Sequence, residues 1–362
     1  MAPTRKPGRG CPGLAVLALF LLAPFVGEFL LGNLTVPQLG LGVLLAPLYG
    51  CGALLVREVG RRTGGWPTMV LLAAAYALIE EGPVDQLLWN DSYAGQDLVH
   101  GPSFVPGPGT SVELVQAVLA LHTVWSVCVP IALVEACVPA RRTTPWLGRR
   151  GLAVTSVVYV LGASLVFWGN YTEEHFIAPP AQLAVCVVAI VALVVVALRI
   201  PRDHPKAPNA DTIAAAAALG PAPAPWRVGA LALAGTSLYW GPSVLLTADW
   251  FEWIGVALWF LVAVGGALAV ARWSRRPGWG ARHVCALAGG ALLTYVWAAF
   301  PVRPEDGGSL TADLVSNAVC AALALAVLAR AVRTARAEQP EGGIHPPGPS
   351  RSAQLGARSY GG

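Results

Sequence analysis

The chain has 362 residues, of which 55% are hydrophobic and only 12% are charged, and its formal net charge is +4. Soluble globular proteins carry roughly 25% charged residues, so this composition excludes an ordinary soluble domain, and its apolar content excludes a disordered chain. The positive charge is clustered beside apolar blocks, which indicates membrane topology and excludes a basic nucleic-acid-binding surface.

Ten apolar blocks are long enough to cross a bilayer, because a transmembrane helix needs about 17–25 residues. In chain order they are residues 12–32, 38–56, 66–87, 112–138, 151–170, 179–199, 227–248, 252–271, 284–301 and 312–331. The first block follows basic residues, as a secretory signal does, but it is long and no small-residue cleavage pattern closes it. We therefore predict an all-α, polytopic transmembrane helix bundle that begins with an uncleaved span.

Lysine and arginine indicate that both termini lie in the cytoplasm, since cytoplasmic loops are enriched in these residues. With the N-terminus inside, every Lys and Arg except Arg303 falls in an inside segment or at the adjoining end of a span. The composition, rich in Arg, Ala, Gly and Pro, is typical of a GC-rich bacterial genome. We expect a multi-pass protein of the bacterial plasma membrane, with the lipid bilayer as its immediate partner.

The Ala/Pro-rich segment 200–226 predicts a cytoplasmic linker between two membrane halves. Residues 1–199 would form a six-span half that carries the candidate site, and residues 227–336 a four-span half. The Gly/Pro-rich residues 337–362 are expected to form a disordered cytoplasmic tail. The outside loop 88–111 is either a lid or a surface connection.

Ionisable side chains inside a span are costly in hydrocarbon, so they are candidates for a functional site. Glu80 and Glu81 lie in the third span, and His122 lies near the middle of the fourth. Glu28 in the first span and Asn170 at the outer end of the fifth are supporting candidates. All five side chains fall in the outer half of the bilayer, so they can share one site.

The helical positions of these residues predict which of them can meet. Neighbouring residues on an α-helix are about 100° apart, so we expect Glu80 and Glu81 not to point at one partner. Tyr76 shares a helix face with Glu80, and Ser126 shares one with His122. We expect one carboxylate within about 6 Å of the histidine ring, a range in which charges couple strongly.

This combination of groups predicts two kinds of chemistry. Two close carboxylates in a low dielectric would hold a proton between them, and a neutral histidine beside them suits general-base activation of water. The same groups suit a divalent metal such as zinc, bound by His122 and Glu81 together with at least one more protein ligand.

Ile79-Glu80-Glu81 in one span, followed by His122 in the next, resembles the CPBP family of CAAX proteases and bacteriocin-processing enzymes and the related PrsW-type membrane proteases. By that resemblance Glu80 and Glu81 would activate water, and His122 would bind or orient it. Asn170 would match a polar residue on a later helix of those proteases.

The resemblance covers roughly residues 66–180 and departs from the family pattern in two places. The family's EExxxR pattern has arginine where this chain has Asp85. The family carries further intramembrane histidines, whereas His175 of this chain lies in a predicted loop.

Each candidate residue also has a structural interpretation. Glu135, near the inner end of the fourth span, is expected to pair with Arg141 or Arg142. Glu28 is expected to pair with His122 or to support a helix contact. His122 itself is equally consistent with a hydrogen-bonded core histidine.

Two functions therefore compete. One is a glutamate-dependent intramembrane hydrolase or protease that acts on a membrane-tethered peptide or a small molecule. The other is a proton-coupled transporter, because buried Glu/His relays are typical of carriers and Pro24, Pro47, Pro83 and Pro130 can break helices near a site. A membrane protein without catalytic activity and a lipid- or terpene-processing enzyme remain alternatives, and the oligomeric state stays open.

Overall fold

The computed structural model describes residues 12–201, 219–246, 248–303 and 309–338. Within these ranges the chain forms ten helical segments: α1 (Gly13–Phe29), α2 (Val36–Arg62), α3 (Trp66–Ile79, continued by Glu80–Val84), α4 (Val112–Cys137), α5 (Arg149–Glu174), α6 (Pro180–Arg199), α7 (Pro225–Leu245), α8 (Asp249–Trp273), α9 (Ala281–Ala298) and α10 (Leu310–Ala337). Seven of these described helices are long and apolar enough to cross a membrane. The prediction of an all-α membrane helix bundle is confirmed.

The helical segments follow the ten predicted spans, but several ends differ. α2 continues to Arg62 and α5 to Glu174, because a helix can extend beyond the hydrocarbon, where polar side chains are in water. α3 instead ends early, at Val84. Two residues later Gln86 has φ 65°, a left-handed conformation that an α-helix cannot continue through.

Small residues allow neighbouring helices to approach closely, as is usual in membrane bundles. A Cβ atom added at Gly162 of α5 would lie 2.7 Å from Cβ of Pro47 in α2. One added at Gly290 of α9 would lie 2.4 Å from the carbonyl oxygen of Gly229 in α7. The pairs α2–α5 and α7–α9 are therefore in backbone contact at these positions.

The buried core has two parts that share α1 and α4. One joins these helices to α7, α9 and α10, and the other joins them to α2 and α3. Helices α5, α6 and α8 expose valine and leucine side chains along their length, as lipid-facing helices do. The division into two halves and the cytoplasmic position of both termini stay predictions. Residues 202–218 of the proposed linker and 339–362 of the proposed tail lie outside the described residues.

A buried ionic network closes the end of the bundle where α2 ends. Arg57 is 0% exposed, donates a hydrogen bond to Glu58 at 2.7 Å and lies 3.3 Å above the ring of Trp146. Glu58 also accepts hydrogen bonds from the backbone N–H groups of Trp146 and Leu147 at 2.8 and 3.0 Å. Because buried charges must be paired and hydrogen-bonded, this network holds the loop after α4 against α2.

Glu135 belongs to this network, and its partners differ from those expected. It pairs with Arg61 and lies 3.0 Å from Nε of Arg57, both on α2. Arg142 reaches only the backbone carbonyl of Glu135, at 3.4 Å, and pairs instead with the carboxylate of Glu338. The expected side-chain pair with Arg141 or Arg142 is therefore wrong. The last turn of α4 faces α2, so two arginines one turn apart reach Glu135 before the following loop does.

The segment 88–111 lies at the other end of the bundle. It contains a two-stranded antiparallel sheet, formed by β1 (Phe104–Val105) and β2 (Thr110–Ser111). Asn90 donates to Glu174 of α5 at 3.2 Å, and the N–H group of Ser103 donates to Glu252 of α8 at 2.7 Å. Hydrogen bonds thus connect the segment to the end of α5 and to the start of α8.

Candidate functional site

Three helices widen into π-helical turns where the polar residues lie. The turns are Phe25–Phe29 in α1, Glu80–Val84 in α3 and Leu121–Cys128 in α4. They carry Glu28, the Glu80–Glu81 pair, and His122 with Ser126. Such turns are rare and occur frequently at functional sites. Their coincidence with the candidate residues on three separate helices supports a shared site.

A proline lies in or next to each of these turns. Pro24 directly precedes the turn of α1, Pro83 lies inside that of α3, and Pro130 follows that of α4 by two residues. Proline has no N–H group and its ring clashes with the carbonyl one turn earlier. The hydrogen-bond ladder shifts accordingly, and the N–H group of Asp85 donates to the carbonyl five residues back, at Glu80, at 2.7 Å.

His122 is the centre of the cluster. Its Nε2 lies 2.7 Å from Oε2 of Glu80 and 2.7 Å from Oε1 of Glu81, and Nδ1 lies 3.2 Å from the hydroxyl of Ser126. The histidine and the two glutamates are 2%, 4% and 5% exposed. Nε2 hydrogen-bonds Glu81, whereas Oε2 of Glu80 receives no hydrogen bond. The predicted approach of a carboxylate to the His122 ring is confirmed.

Both glutamates contact the histidine, although α-helical spacing predicts that they should not. That prediction is wrong because Glu80 begins a π-helical turn. A π-helical turn contains more residues than an α-helical turn, so consecutive side chains are separated by a smaller angle. The flexible glutamate side chains then reach the same nitrogen atom.

Tyr49 of α2 joins the cluster and was not identified from the sequence. Its hydroxyl donates a hydrogen bond to Glu28 and lies 3.3 Å from Oε1 of Glu80. The ring is 3% exposed and its centroid lies 5.7 Å from that of His122. Asn33 donates to the second oxygen of Glu28 at 3.3 Å. Glu28 therefore reaches the cluster through Tyr49 and supports a contact between α1 and α2.

Tyr76 covers the histidine from another side. It lies one turn before Glu80 on α3 and faces the same histidine, as their shared helix face predicts, with its ring centroid 6.0 Å from that of His122. The ring packs against Gly52 of α2, where an added Cβ atom would lie only 2.3 Å from it. The Tyr76 hydroxyl is buried and has no hydrogen-bond partner among the described residues. Tyr76 thus contributes packing, whereas Tyr49 contributes a hydrogen bond.

Asn170 lies beside the cluster and contacts it through Asp85. Its Nδ2 donates to one oxygen of Asp85, and the hydroxyl of Tyr93 donates to the other at 3.1 Å. Asp85 follows Glu81 by four residues on the continuation of α3. Asp85 therefore occupies the position where the CPBP family has arginine, and its carboxylate accepts hydrogen bonds from two neutral donors.

The cluster has more acidic than basic groups. Among the described residues, His122 is the only basic side chain that pairs with these carboxylates. Glu80 and Glu81 are both buried against one imidazole, and the half-buried Glu28 lies behind Tyr49, so the group carries more negative than positive charge. Such an arrangement can accept a proton from water or pass one along. One atom each of Glu80, Glu81 and His122 lies within 4.8 Å of the others, close enough to bind one metal ion.

Comparison with known proteins gives one match. Residues 17–339 match a family described as an uncharacterized membrane protein family. No curated protein and no solved structure matches the chain. The matched range contains every residue of the cluster, and together with the apolar helices it shows an integral, multi-pass membrane protein.

Proposed function

We propose that this chain, which belongs to an uncharacterized membrane protein family, is a membrane-embedded hydrolase in which Glu80 and Glu81 activate water and His122 stabilises the charge that develops on the substrate. The proposal rests on the convergence of both carboxylates on Nε2 of His122, each at 2.7 Å. Buried carboxylates beside an oriented imidazole are the groups that general-base hydrolysis uses.

In the proposed reaction the Glu80–Glu81 pair takes one proton from water while the water oxygen attacks the carbonyl carbon of an amide or ester. The carbonyl π electrons move to its oxygen, and the N–H group at Nε2 of His122 stabilises that oxyanion. The electron pair of the oxyanion then re-forms the carbonyl as the bond to the leaving group breaks, and the glutamic acid gives its proton to the departing amine or alcohol, which leaves a carboxylic acid as the other product. Ser126, which lies 3.2 Å from Nδ1, favours the tautomer with hydrogen on Nε2.

The reaction requires the cluster to open, since its side chains are in direct contact. Oε2 of Glu80 lies 2.7 Å from the histidine but receives no hydrogen bond. Opening this contact loses electrostatic attraction but no hydrogen bond, whereas opening the contact with Glu81 loses both. A water molecule placed there would lie between the two carboxylates and the imidazole.

The donor set also fits a divalent metal such as zinc. One imidazole nitrogen and two carboxylate oxygens match the three protein ligands of catalytic zinc sites, which keep a fourth position for water. Ser126 beside Nδ1 would orient the histidine, as the outer partners of metal-bound histidines do. A bound metal would polarise the water and the substrate carbonyl.

The resemblance to the CPBP-type proteases supports peptide hydrolysis in particular. Glu80 and Glu81 on one helix and His122 on the next match the part of that pattern that activates water. The substrate would be a membrane-tethered peptide or a small molecule in a bacterial plasma membrane. Asp85, bonded to Asn170, departs from the family pattern, so we expect a substrate preference different from that family's.

Cleavage of a defined library tests the proposal. The purified full chain in nanodiscs is expected to cleave members of a membrane-tethered peptide library, and Glu81→Gln and His122→Ala should each abolish product. Glutamine keeps the size of glutamate but cannot take a proton. Glu173→Gln and His175→Ala are matched controls at the end of α5, outside the cluster. Undiminished cleavage by Glu81→Gln would contradict the proposal, and loss of cleavage on chelation with recovery on adding zinc would identify a metal.

A proton-coupled carrier is the second candidate function. It is favoured by the hydrogen-bonded series from Glu28 through Tyr49 to Glu80, because such a series can pass a proton between helices. If the library yields no product, yet proteoliposomes show proton or solute flux that Glu81→Gln blocks, the carrier function is correct and the hydrolase is not.

A further inference from the structure

A cavity of about 240 Å³ lies between α4, α7 and α8, at the end of the bundle that carries the 88–111 segment. Its lining includes Glu113 and Gln116 of α4, Tyr239 of α7, and Asp249, Phe251 and Glu252 of α8. Glu113 precedes His122 by nine residues, about two and a half turns, so the two side chains leave α4 on roughly opposite sides. The cavity is separate from the Glu80–Glu81–His122 cluster.

The lining presents hydrogen-bond acceptors and negative charge. Among the described residues, the lining contains three carboxylates and no lysine, arginine or histidine. The Glu113 carboxylate has no ion pair or hydrogen bond with the described residues, whereas Glu252 is already bonded to Ser103. Gln116 is 4% exposed and uses its amide N–H group on the carbonyl of Val256 at 3.4 Å, which leaves its amide oxygen as an acceptor.

Tyr239 gives an independent indication of a ligand. Its side chain is 8% exposed and lines the cavity, yet its hydroxyl has no hydrogen-bond partner among the described residues. It lies close enough to Glu113 to interact with it electrostatically. The hydroxyl is not among the fully enclosed atoms without a partner, so it is open to the cavity, where a ligand can form the hydrogen bond that the protein does not supply.

The aromatic rings of Tyr239 and Phe251 indicate which class of ligand the cavity fits. Aromatic faces attract organic cations, and an ammonium group additionally donates hydrogen bonds to carboxylate and amide oxygens. A hard divalent cation would bind through oxygen atoms alone and leave the two aromatic faces unused, so the rings favour an organic cation. An anion is excluded by the three carboxylates.

We propose that this cavity binds a primary ammonium group, carried either by the amino terminus of a peptide or by a small amine. Glu113 forms the ion pair, Gln116 and Tyr239 accept hydrogen bonds, and Phe251 contacts the cation with its ring. Binding here does not depend on the proposed hydrolase activity, since the cavity shares no residue with that cluster.

Calorimetric titration of the full chain in nanodiscs tests the proposal with three probes: trialanine, N-acetyl-trialanine and ethylammonium. Trialanine is expected to bind with one-to-one stoichiometry, and acetylation, which removes the charge, should abolish binding. Glu113→Gln should weaken binding about tenfold or more, because it removes a charged hydrogen-bond partner. Tyr239→Phe keeps the ring and should weaken it by a smaller factor. Glu173→Gln, a carboxylate at the same end outside the cavity, should leave the affinity unchanged.

The three probes and the variants distinguish the possible ligands. Binding of ethylammonium without trialanine would support the site and identify a free amine as its ligand. Equal binding of trialanine and its acetylated form would overturn the proposal, as would an unchanged affinity in both Glu113→Gln and Tyr239→Phe. A calcium ion that binds the parent but not Glu113→Gln, with no binding of either amine, would also overturn it. Thermal unfolding of each variant shows that it is folded before titration.

Discussion

The hydroxyl groups of Tyr49 and Tyr76 give a matched test of the buried cluster. Both tyrosines are 3% exposed and have ring centroids about 6 Å from His122. Only the Tyr49 hydroxyl is hydrogen-bonded, to Glu28. Because hydrogen bonds to charged groups contribute about 1.5–3 kcal/mol, we expect Tyr49→Phe to lower the free energy of unfolding by that amount.

Tyr76→Phe is the control for this prediction. It removes a buried hydroxyl that has no partner among the described residues, so stability should stay unchanged or increase. The free energy of unfolding of both variants, measured in mixed detergent micelles, decides the matter. Equal losses in the two variants would show that the bond from Tyr49 to Glu28 adds nothing to stability.

Sequence reasoning identified the charged members of the cluster and the neutral Tyr76, Ser126 and Asn170 beside them, but it missed Tyr49. Glu80, Glu81 and His122 could be predicted because ionisable residues are rare in apolar spans. Tyr49 could not, because tyrosine is common near membrane interfaces and its partner depends on how α1 and α2 pack. Pro47, which lies two residues earlier in the same span, is a weak indication that the helix is irregular near a site.

Close approach of α1 to α2 and α4 depends on Gly27, inside the π-helical turn of α1. A Cβ atom there would lie 2.8 Å from the Ser126 hydroxyl and 3.0 Å from the Tyr49 ring. We expect Gly27→Ala to lower the free energy of unfolding by about 1–3 kcal/mol, as overpacking does. It should also displace Ser126 from Nδ1 of His122.

Gly13→Ala, in the same helix, is the matched control. No atom lies within 4 Å of a Cβ atom added at Gly13. Alanine is a better helix former than glycine, so this change should leave stability unchanged or raise it by up to about 1 kcal/mol. A loss in Gly13→Ala equal to that in Gly27→Ala would remove the packing explanation.

The positions of the helices could be predicted, whereas their internal geometry could not. Long apolar blocks separated by charged or Pro/Gly-rich segments define helices, since a lipid-exposed backbone must satisfy its own hydrogen bonds. A π-helical turn leaves no such pattern, because apolar residues occupy both kinds of turn. The prolines at positions 24, 83 and 130 were the sequence features that indicated irregular turns. The sequence therefore did not predict that Glu80 and Glu81 both contact Nε2 of His122.

For the whole molecule, the charge distribution predicts an even number of spans with both termini inside. Reporter fusions should place the 88–111 and 171–178 segments outside and the 200–226 segment inside, because lysine and arginine are retained in the cytoplasm. In the structure the 88–111 segment and the Arg57–Glu58 network lie at opposite ends of α2 and α4. An external 200–226 segment would contradict this orientation. It would also contradict the expectation that the proposed ammonium-binding cavity is reached from outside the cell.

The π-helical turn Leu121–Cys128 also affects how the side chains at the two ends of α4 are oriented relative to each other. Before it, Glu113 faces the cavity, and after it, Glu135 faces Arg61 of α2. Each residue of a regular α-helix turns the chain by about 100°, whereas the smaller angle per residue in a π-helical turn accommodates one additional residue with little net rotation. Deleting one residue within this turn would therefore restore a regular α-helix and leave Glu113 and Glu135 near their present directions, whereas a deletion in the regular part of α4 would turn one of them away from its partner. The widened turn thus carries an additional residue while the side chains at the two ends of α4 stay aligned, and His122 lies where the helix changes its winding.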